Sequence, residues 1–339
     1  LSIWAPEGGA DLPVMLWIHG GGFLSGSGDE KRHDGAVLAS NGVVVVTINY
    51  RLGALGFLAH PDLTAESPNH ASGNYALLDM IAALKWARSN IATFGGDPGN
   101  VTLFGESAGS YAISSLMASQ LASGLFHRAI GVSGAQVSGF RSRILVLPEA
   151  EREGLKWVQS MGAAGLDDLR ALPAEKLVEA TPREADLFSP VVDRYVLSES
   201  PDAAFAAGRQ SDIPLMAGWT SAEQKWIHYS LGEFRAARDE LFPGATGEAA
   251  RIYPAGSGPE AYRMGITMAS DTWVVFPTWR WLELHEASSS SPVYRFLFDQ
   301  VQASGPEPVT ADDPGAAHAT DIPFVFHTLD YLGHPVSAG

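Results

Sequence analysis

The sequence predicts an α/β fold in which a mostly parallel central sheet is flanked by helices. Three observations carry that expectation. Continuous apolar runs at Leu12–Ile18, 43–48 and 101–104 have the composition of strands buried on both faces, as the central strands of parallel sheets are. Between the second and third runs, residues 74–94 place Leu77, Leu78, Ile81, Leu84 and Ala87 at helical spacing. Strand, helix, strand and helix joined by short connections imply parallel pairing through right-handed crossovers. The third observation is that glycine-rich turns follow two of these strands, at the carboxyl ends where such sheets hold ligands.

The remaining elements follow in order. The chain opens with Leu1-Ser2-Ile3-Trp4, the end of a strand already under way. Gly95-Gly96-Asp97-Pro98 stops the long helix and turns the chain into the strand that ends at Gly105. A helix is expected over 108–121 and a strand over 129–132, closed by Ser133-Gly134. Beyond Ser138 the pattern loosens. Amphipathic helices are expected over 149–161, 166–180 and 231–253, a longer one over 267–286, and strands over 212–218 and 293–298. Residues 287–292 and 305–315 form loops. Trp273, Phe276, Trp279 and Trp281 recur along the long helix; that spacing suits helix packing, and a pocket wall is the competing reading. With 339 residues and 46% apolar content, one large core is attainable. The simplest organisation is a single domain over 1–339 with helical insertions at about 139–210 and 225–290.

Composition narrows the function. The formal charge is −16, with the acidic residues dispersed. This argues against nucleic acid or an anionic membrane as a partner. No apolar run is long enough to span a bilayer, and no basic region followed by an apolar stretch marks a leader peptide. Cysteine is absent, which excludes disulfides and thiolate metal sites. The missing leader and cysteines favour the cytoplasm. Oligomeric state is left open.

The chemistry centres on Gly105-Glu106-Ser107-Ala108-Gly109, a G-x-S-x-G pattern between a strand and a helix. Such a turn exposes the serine at its tip, and the glycines allow helix and strand to approach closely. His19-Gly20-Gly21-Gly22-Phe23 follows another central strand. Its backbone N–H groups can hold the oxyanion of an acyl-transfer intermediate. No G-K-[ST] follows, so a phosphate loop is the weaker reading.

A serine nucleophile needs a base and an acid, and in the serine hydrolases with this elbow the chain order is serine, acid, histidine. The histidines after Ser107 are His127, His228, His285, His318, His327 and His334. His318 follows Pro314-Gly315-Ala316-Ala317, an uncluttered loop beyond the last clear strand. His127 and His285 fall within elements, where capping or packing is the natural role. Glu223, five residues past the strand expected over 213–218, is the preferred acid. Asp193 also follows an apolar pair, but its proline-flanked setting favours capping or turning the chain. Asp321 precedes Ile322-Pro323 and suits a helix start.

Together these motifs resemble the type-B carboxylesterases, the cholinesterase-like branch of the α/β-hydrolase fold. The resemblance rests on the His19–Phe23 glycine loop, Asn49-Tyr50-Arg51-Leu52-Gly53, Leu55-Gly56-Phe57-Leu58, Gly73-Asn74-Tyr75 and Leu77-Leu78-Asp79. It continues through Phe94-Gly95-Gly96-Asp97-Pro98, the elbow, Ser189-Pro190-Val191-Val192-Asp193, Ile213-Pro214-Leu215 and the residues around His318. It implies a carboxylic-ester hydrolase with Ser107 as nucleophile, His318 as base and Glu223 as acid. Gly21, Gly22 and Ala108 would donate the oxyanion-hole amides. Glu106 would stand beside the nucleophile, bonded to Ser133, and Arg51 with Asp79 would form a buried ion pair behind the sheet. A small-molecule ester is the implied substrate, with no metal or organic cofactor. The family pattern at the acid is Asp-Glu-Gly, where this chain has Ala222-Glu223-Gln224. The resemblance also implies truncation at both ends, before the glycine loop and after the histidine. Two other readings share these motifs. A hormone-sensitive-lipase-like esterase normally has Gly-Asp-Ser-Ala-Gly and an aspartate acid, so Glu106 and Glu223 count against it. A non-catalytic cholinesterase-like adhesion module typically lacks a triad member, and here a full set is present.

Overall fold

In the computed structural model, which describes residues 1–137, 144–181, 187–301 and 313–332, the apolar runs pair side by side. The described strands are β1 Ser2–Trp4, β2 Leu12–Ile18, β3 Val44–Thr47, β4 Gly96–Glu106, β5 Arg128–Val132, β6 Leu145–Val146, β7 Val191–Val192, β8 Leu215–Thr220 and β9 Val293–Phe298. The main sheet has the order β1-β3-β2-β4-β5-β8-β9. Only β1 runs antiparallel to its neighbour; the other pairings are parallel. β6 and β7 pair separately.

Alternate residues of β2 explain why its whole run is apolar. Val14, Leu16 and Ile18 enter the larger core with Val44, Val46, Leu103 and Leu77, Ile81 and Leu84 of the helix Tyr75–Asn90. Trp17 points to the opposite face and joins Val45, Phe104, Ile322 and Phe326. Its ring centroid lies 4.8 Å from that of Phe104 and 5.1 Å from that of Phe326. Both faces are therefore covered, and no polar side is needed. Phe326 directly follows the short helix Ile322–Val325 and anchors the chain just beyond His318. Truncating so buried a ring costs about 3–5 kcal/mol, so this contact fixes where the histidine loop ends.

Several elements differ from the sequence expectation. Residues 231–253 form two helices, Leu231–Leu241 and Thr246–Ile252. Pro243 and Gly244 lie between them, Gly244 at φ 84°, so the first helix cannot continue. Residues 166–180 likewise split at Pro173 into Leu166–Arg170 and Ala174–Glu179. The long aromatic helix begins earlier, as Gly258–Ser270, because Ser257 Oγ accepts from the Glu260 N–H. It then passes through a π-helical turn at Asp271–Val275 into Phe276–Ser288. Trp281 is fully buried and meets Phe205 edge-on, whereas Phe276 and Trp279 are exposed. The strand expected over 212–218 is shifted to Leu215–Thr220, since Pro214 has no N–H to pair. Arg51 and Asp79 do pair, Nη2 to Oδ1 at 2.7 Å, but the Arg51 side chain is half exposed rather than buried. His334 and the loop residues 305–312 lie outside the described residues. Among the described residues, no helix is long and apolar enough to cross a membrane.

Candidate active site

β4 delivers Ser107 to the carboxyl edge of the sheet, at the start of the helix Ala108–Ala118. Ser107 holds φ 54° and ψ −123°, a strained conformation for a residue with a side chain. The flanking glycines are required by packing. A Cβ on Gly105 would sit 2.7 Å from the Ile18 carbonyl oxygen, and one on Gly109 only 2.0 Å from it. The elbow is thus pressed against the end of β2, where the glycine loop begins. A Cβ on Gly20 would lie 2.6 Å from Glu106 Oε2 and 3.1 Å from Ser107 Cβ, so loop and serine are immediate neighbours.

Gly21 and Gly22 adopt φ 108° and 63°. Gly21 tolerates no side chain, because its Cβ would fall 2.2 Å from the Ser25 carbonyl oxygen; the space around Gly22 is open. No protein acceptor among the described residues takes the N–H of Gly21, Gly22 or Ala108. Buried His19 stacks on Tyr50 at 4.4 Å between centroids, and Tyr50 Oη donates to the His19 carbonyl at 2.7 Å. This pair braces the loop from beneath.

Glu223 follows β8 and is completely buried. Its Oε1 accepts from Ser133 Oγ at 2.6 Å and from the Thr220 N–H at 2.8 Å. Oε2 lies 2.5 Å from His318 Nδ1. Ser133 therefore bonds Glu223, and the expected bond to Glu106 is not made. The reason is positional: β5 and β8 are neighbours, and Ser133 and Glu223 leave them at the same edge.

The loop carrying His318 is tied to the segment carrying Glu223. The Ala222 N–H donates to the Ala316 carbonyl at 2.8 Å, the Ala316 N–H to Ser221 Oγ at 2.8 Å, and the His318 N–H to the Glu223 carbonyl at 3.3 Å. Lys225 Nζ adds an ion pair to Asp313 Oδ1 at 2.5 Å. Such a lattice holds an imidazole on the end of a loop in one place.

His318 Nε2 lies 3.0 Å from Glu106 Oε1, as a charge contact rather than an aligned hydrogen bond. A hydrogen bond from Ser107 Oγ to that nitrogen is not formed among the described residues. The imidazole is thus held between two carboxylates. Burial alone would lower its pKa, but the charges of Glu106 and Glu223 outweigh burial and hold it well above the usual histidine value.

Of the rival acids, Asp193 Oδ1 accepts from the backbone N–H groups of Tyr195, Val196 and Leu197 and so closes a turn. Asp321 sits at the start of the helix Ile322–Val325, but its side chain does not cap it. It is buried with Oδ1 unpartnered, and burial together with the charge of Glu106 pushes its pKa up to about 7. Of the other histidines, His127 Nδ1 accepts from the Val101 N–H at 3.1 Å and buried His285 Nε2 bonds the Ile213 carbonyl at 2.8 Å. One neighbour of the site, Trp226, was not singled out from sequence, and Asp321, read there as a rival acid suited to a helix start, has a further place. Asp321 joins the acidic surroundings of His318, and Trp226 meets the His318 ring edge-on at 6.1 Å between centroids. For Trp226, its place three residues beyond Glu223 was the available signal. Among the described residues, no group of histidines and carboxylates is arranged to hold a metal ion.

A family model described as "Carboxylesterase family" matches residues 1–334. The chain belongs to the carboxylesterase family. Fumonisin B1 esterase of Sphingopyxis macrogoltabida is 37% identical over 357 residues, covering 97% of this chain and 61% of that protein. Para-nitrobenzyl esterase of Bacillus subtilis (strain 168) is 37% identical over 356 residues, covering 98% of this chain and 67% of that protein. This carboxylesterase-family chain thus spans roughly two thirds or less of these relatives' length. The solved structure of a PNB esterase superposes with TM-score 0.79 at 36% identity, over 97% of this chain and 70% of that one. A thermophilic PNB esterase gives 0.80 at 35% identity, over 99% and 69%.

Proposed function

We propose that this protein is a serine carboxylic-ester hydrolase acting through an acyl-enzyme on Ser107. Ser107 Oγ attacks the ester carbonyl and gives its proton to His318 Nε2. The oxyanion accepts hydrogen bonds from the N–H groups of Gly21, Gly22 and Ala108, which have no protein acceptor among the described residues. His318 then returns the proton to the departing alkoxide, leaving the acyl group on Ser107. Water, deprotonated by His318, attacks the acyl carbonyl; the second intermediate collapses to the free acid and restores Ser107. Glu223 keeps the proton on Nδ1 and offsets the imidazolium charge.

The observation that carries the reading is the 2.5 Å contact between Glu223 and His318 at the sheet edge that also bears the strained Ser107. For base catalysis the imidazole must turn Nε2 from Glu106 toward Ser107; catalytic hydrogen bonds commonly tighten only when substrate is bound. Replacing Ser107 by Ala is the direct test. Hydrolysis of an activated ester should fall about a millionfold in kcat, to the level left by the oxyanion donors. Substantial turnover by that variant would rule the mechanism out.

A further inference from the structure

The helices Leu231–Leu241, Thr246–Ile252 and Gly258–Ser270 flank an open surface cavity of about 570 Å³ that includes no residue of the proposed triad. Its volume is within the range of small-molecule sites. Three of its lining residues are arginines, Arg235, Arg238 and Arg263, against one acid, Glu260. That is a local excess of positive charge in a chain whose formal charge is −16.

The arginines are unequally committed. Arg238 is nearly buried, paired with Asp239 at 2.9 Å and placed over the Phe234 ring at 5.9 Å. It forms part of the wall. Arg235 gives Nη2 to the Ala255 carbonyl at 3.1 Å and has no carboxylate partner among the described residues. The Arg263 guanidinium has neither an ion pair nor a hydrogen bond among them, while its backbone carbonyl accepts from Thr267 Oγ1 at 3.1 Å. Glu260, whose Oε2 accepts from the Gly256 N–H at 2.7 Å, keeps its charge within electrostatic reach of Arg263, so the two guanidinium groups outnumber the one carboxylate rather than standing free of it. Each guanidinium carries five N–H donors in a planar fork that matches a carboxylate. Pro254 and Met264 supply apolar wall between them. An inorganic anion would use the guanidinium groups and leave that wall wet.

We infer that this cavity is a binding site for a small organic carboxylate, whose anionic end pairs with Arg235 and Arg263 and whose apolar body lies against Pro254 and Met264. The inference uses none of the hydrolase residues; only the blocking step of its test rests on Ser107 being the reactive serine, which the mass of the phosphonylated protein checks separately.

Phenylacetate serves as the probe, titrated calorimetrically into protein whose Ser107 has been blocked with a phosphonate, so that the active site cannot contribute. Inorganic phosphate is titrated in parallel at equal ionic strength. The expected result is saturable binding of one phenylacetate, with phosphate binding more weakly. Arg263→Gln and Arg235→Gln should each weaken phenylacetate roughly tenfold, the loss of a charge-assisted pair, and Arg263→Lys should restore part of the loss. Both arginines are exposed, so these variants should fold, and unblocked samples should hydrolyse ester at the wild-type rate. No saturable binding, binding unchanged by both Gln variants, or phosphate binding as tightly as phenylacetate would each overturn the inference.

Discussion

Glu106 Oε1 stands 3.0 Å from Nε2 of His318, on the nitrogen that must accept the Ser107 proton in the proposed reaction. Glu223 occupies the other nitrogen at 2.5 Å. The imidazole is therefore stabilised in its charged form from both ends, and that form cannot act as a base.

A pH dependence follows. Since the folded pKa of His318 is raised, activity should appear only as pH climbs through that raised value. Glu106→Gln removes the largest charge responsible. The acid limb of the kcat/KM profile should then move to lower pH. An unmoved limb would show that Glu106 does not control the base. The stability contribution has the same sense: the favourable charge contact is complete below the unfolded histidine pKa and is lost as pH rises through the folded value.

Asp321 gives a separate prediction, read from stability alone. Its pKa is pushed up to about 7 in the fold, against about 3.9 for an unfolded aspartate. From this group, the folded state holds one proton more than the unfolded state between those values, so stability falls as pH rises across the window. Asp321→Asn lacks that slope. Relative to wild type, the variant's Tm should rise between about pH 4 and pH 7 and then level off. A constant difference across the range would mean that Asp321 titrates normally.

The glycine loop separates activity from stability. A side chain at Gly22 meets open space, but φ 63° is unfavourable for valine. Gly22→Val should cost about 1–3 kcal/mol of stability and about 3–4 kcal/mol of transition-state stabilisation through the displaced amide. Gly109→Ala should show the opposite balance, since its Cβ would collide with the Ile18 carbonyl at 2.0 Å. That variant should fold poorly, as thermal denaturation would show.

Glu223→Gln preserves the shape of the acid but can present an amide donor to Nδ1, favouring the wrong tautomer. By analogy with serine-protease triads, kcat should fall on the order of ten-thousandfold while KM changes little. A loss of tenfold or less would move the acid elsewhere.

Much of this arrangement was legible in the chain because it is local. The continuous run Leu12–Ile18 matched β2 to the residue, since Asp11 and His19 bound a run with no polar residue inside it, although Pro13 near its start is exposed. The elbow and the glycine loop were visible because each is a short contiguous motif, although the backbone that Gly105 and Gly109 approach is that of Ile18 on β2. Some breaks were also written locally and were read through, such as Pro243-Gly244 and the Ser257 start ahead of Glu260. What the pattern could not supply was lateral partnership. Ser133 bonds Glu223 rather than Glu106 because β5 lies beside β8, a relation between residues 90 positions apart. The closeness of Asp321 to the other acids likewise depends on Phe326 docking against Trp17 on the far face of β2.

The central claim is a covalent acyl group on Ser107, and trapping it is the most direct measurement. The protein would be mixed with a p-nitrophenyl ester, quenched in acid within the burst phase, digested and mapped by mass spectrometry. The account predicts a burst of nitrophenol close to one equivalent per active site, with the acyl group on the peptide containing Ser107 and on no other. An acyl group on a different residue, or steady turnover with Ser107 never modified, would contradict it.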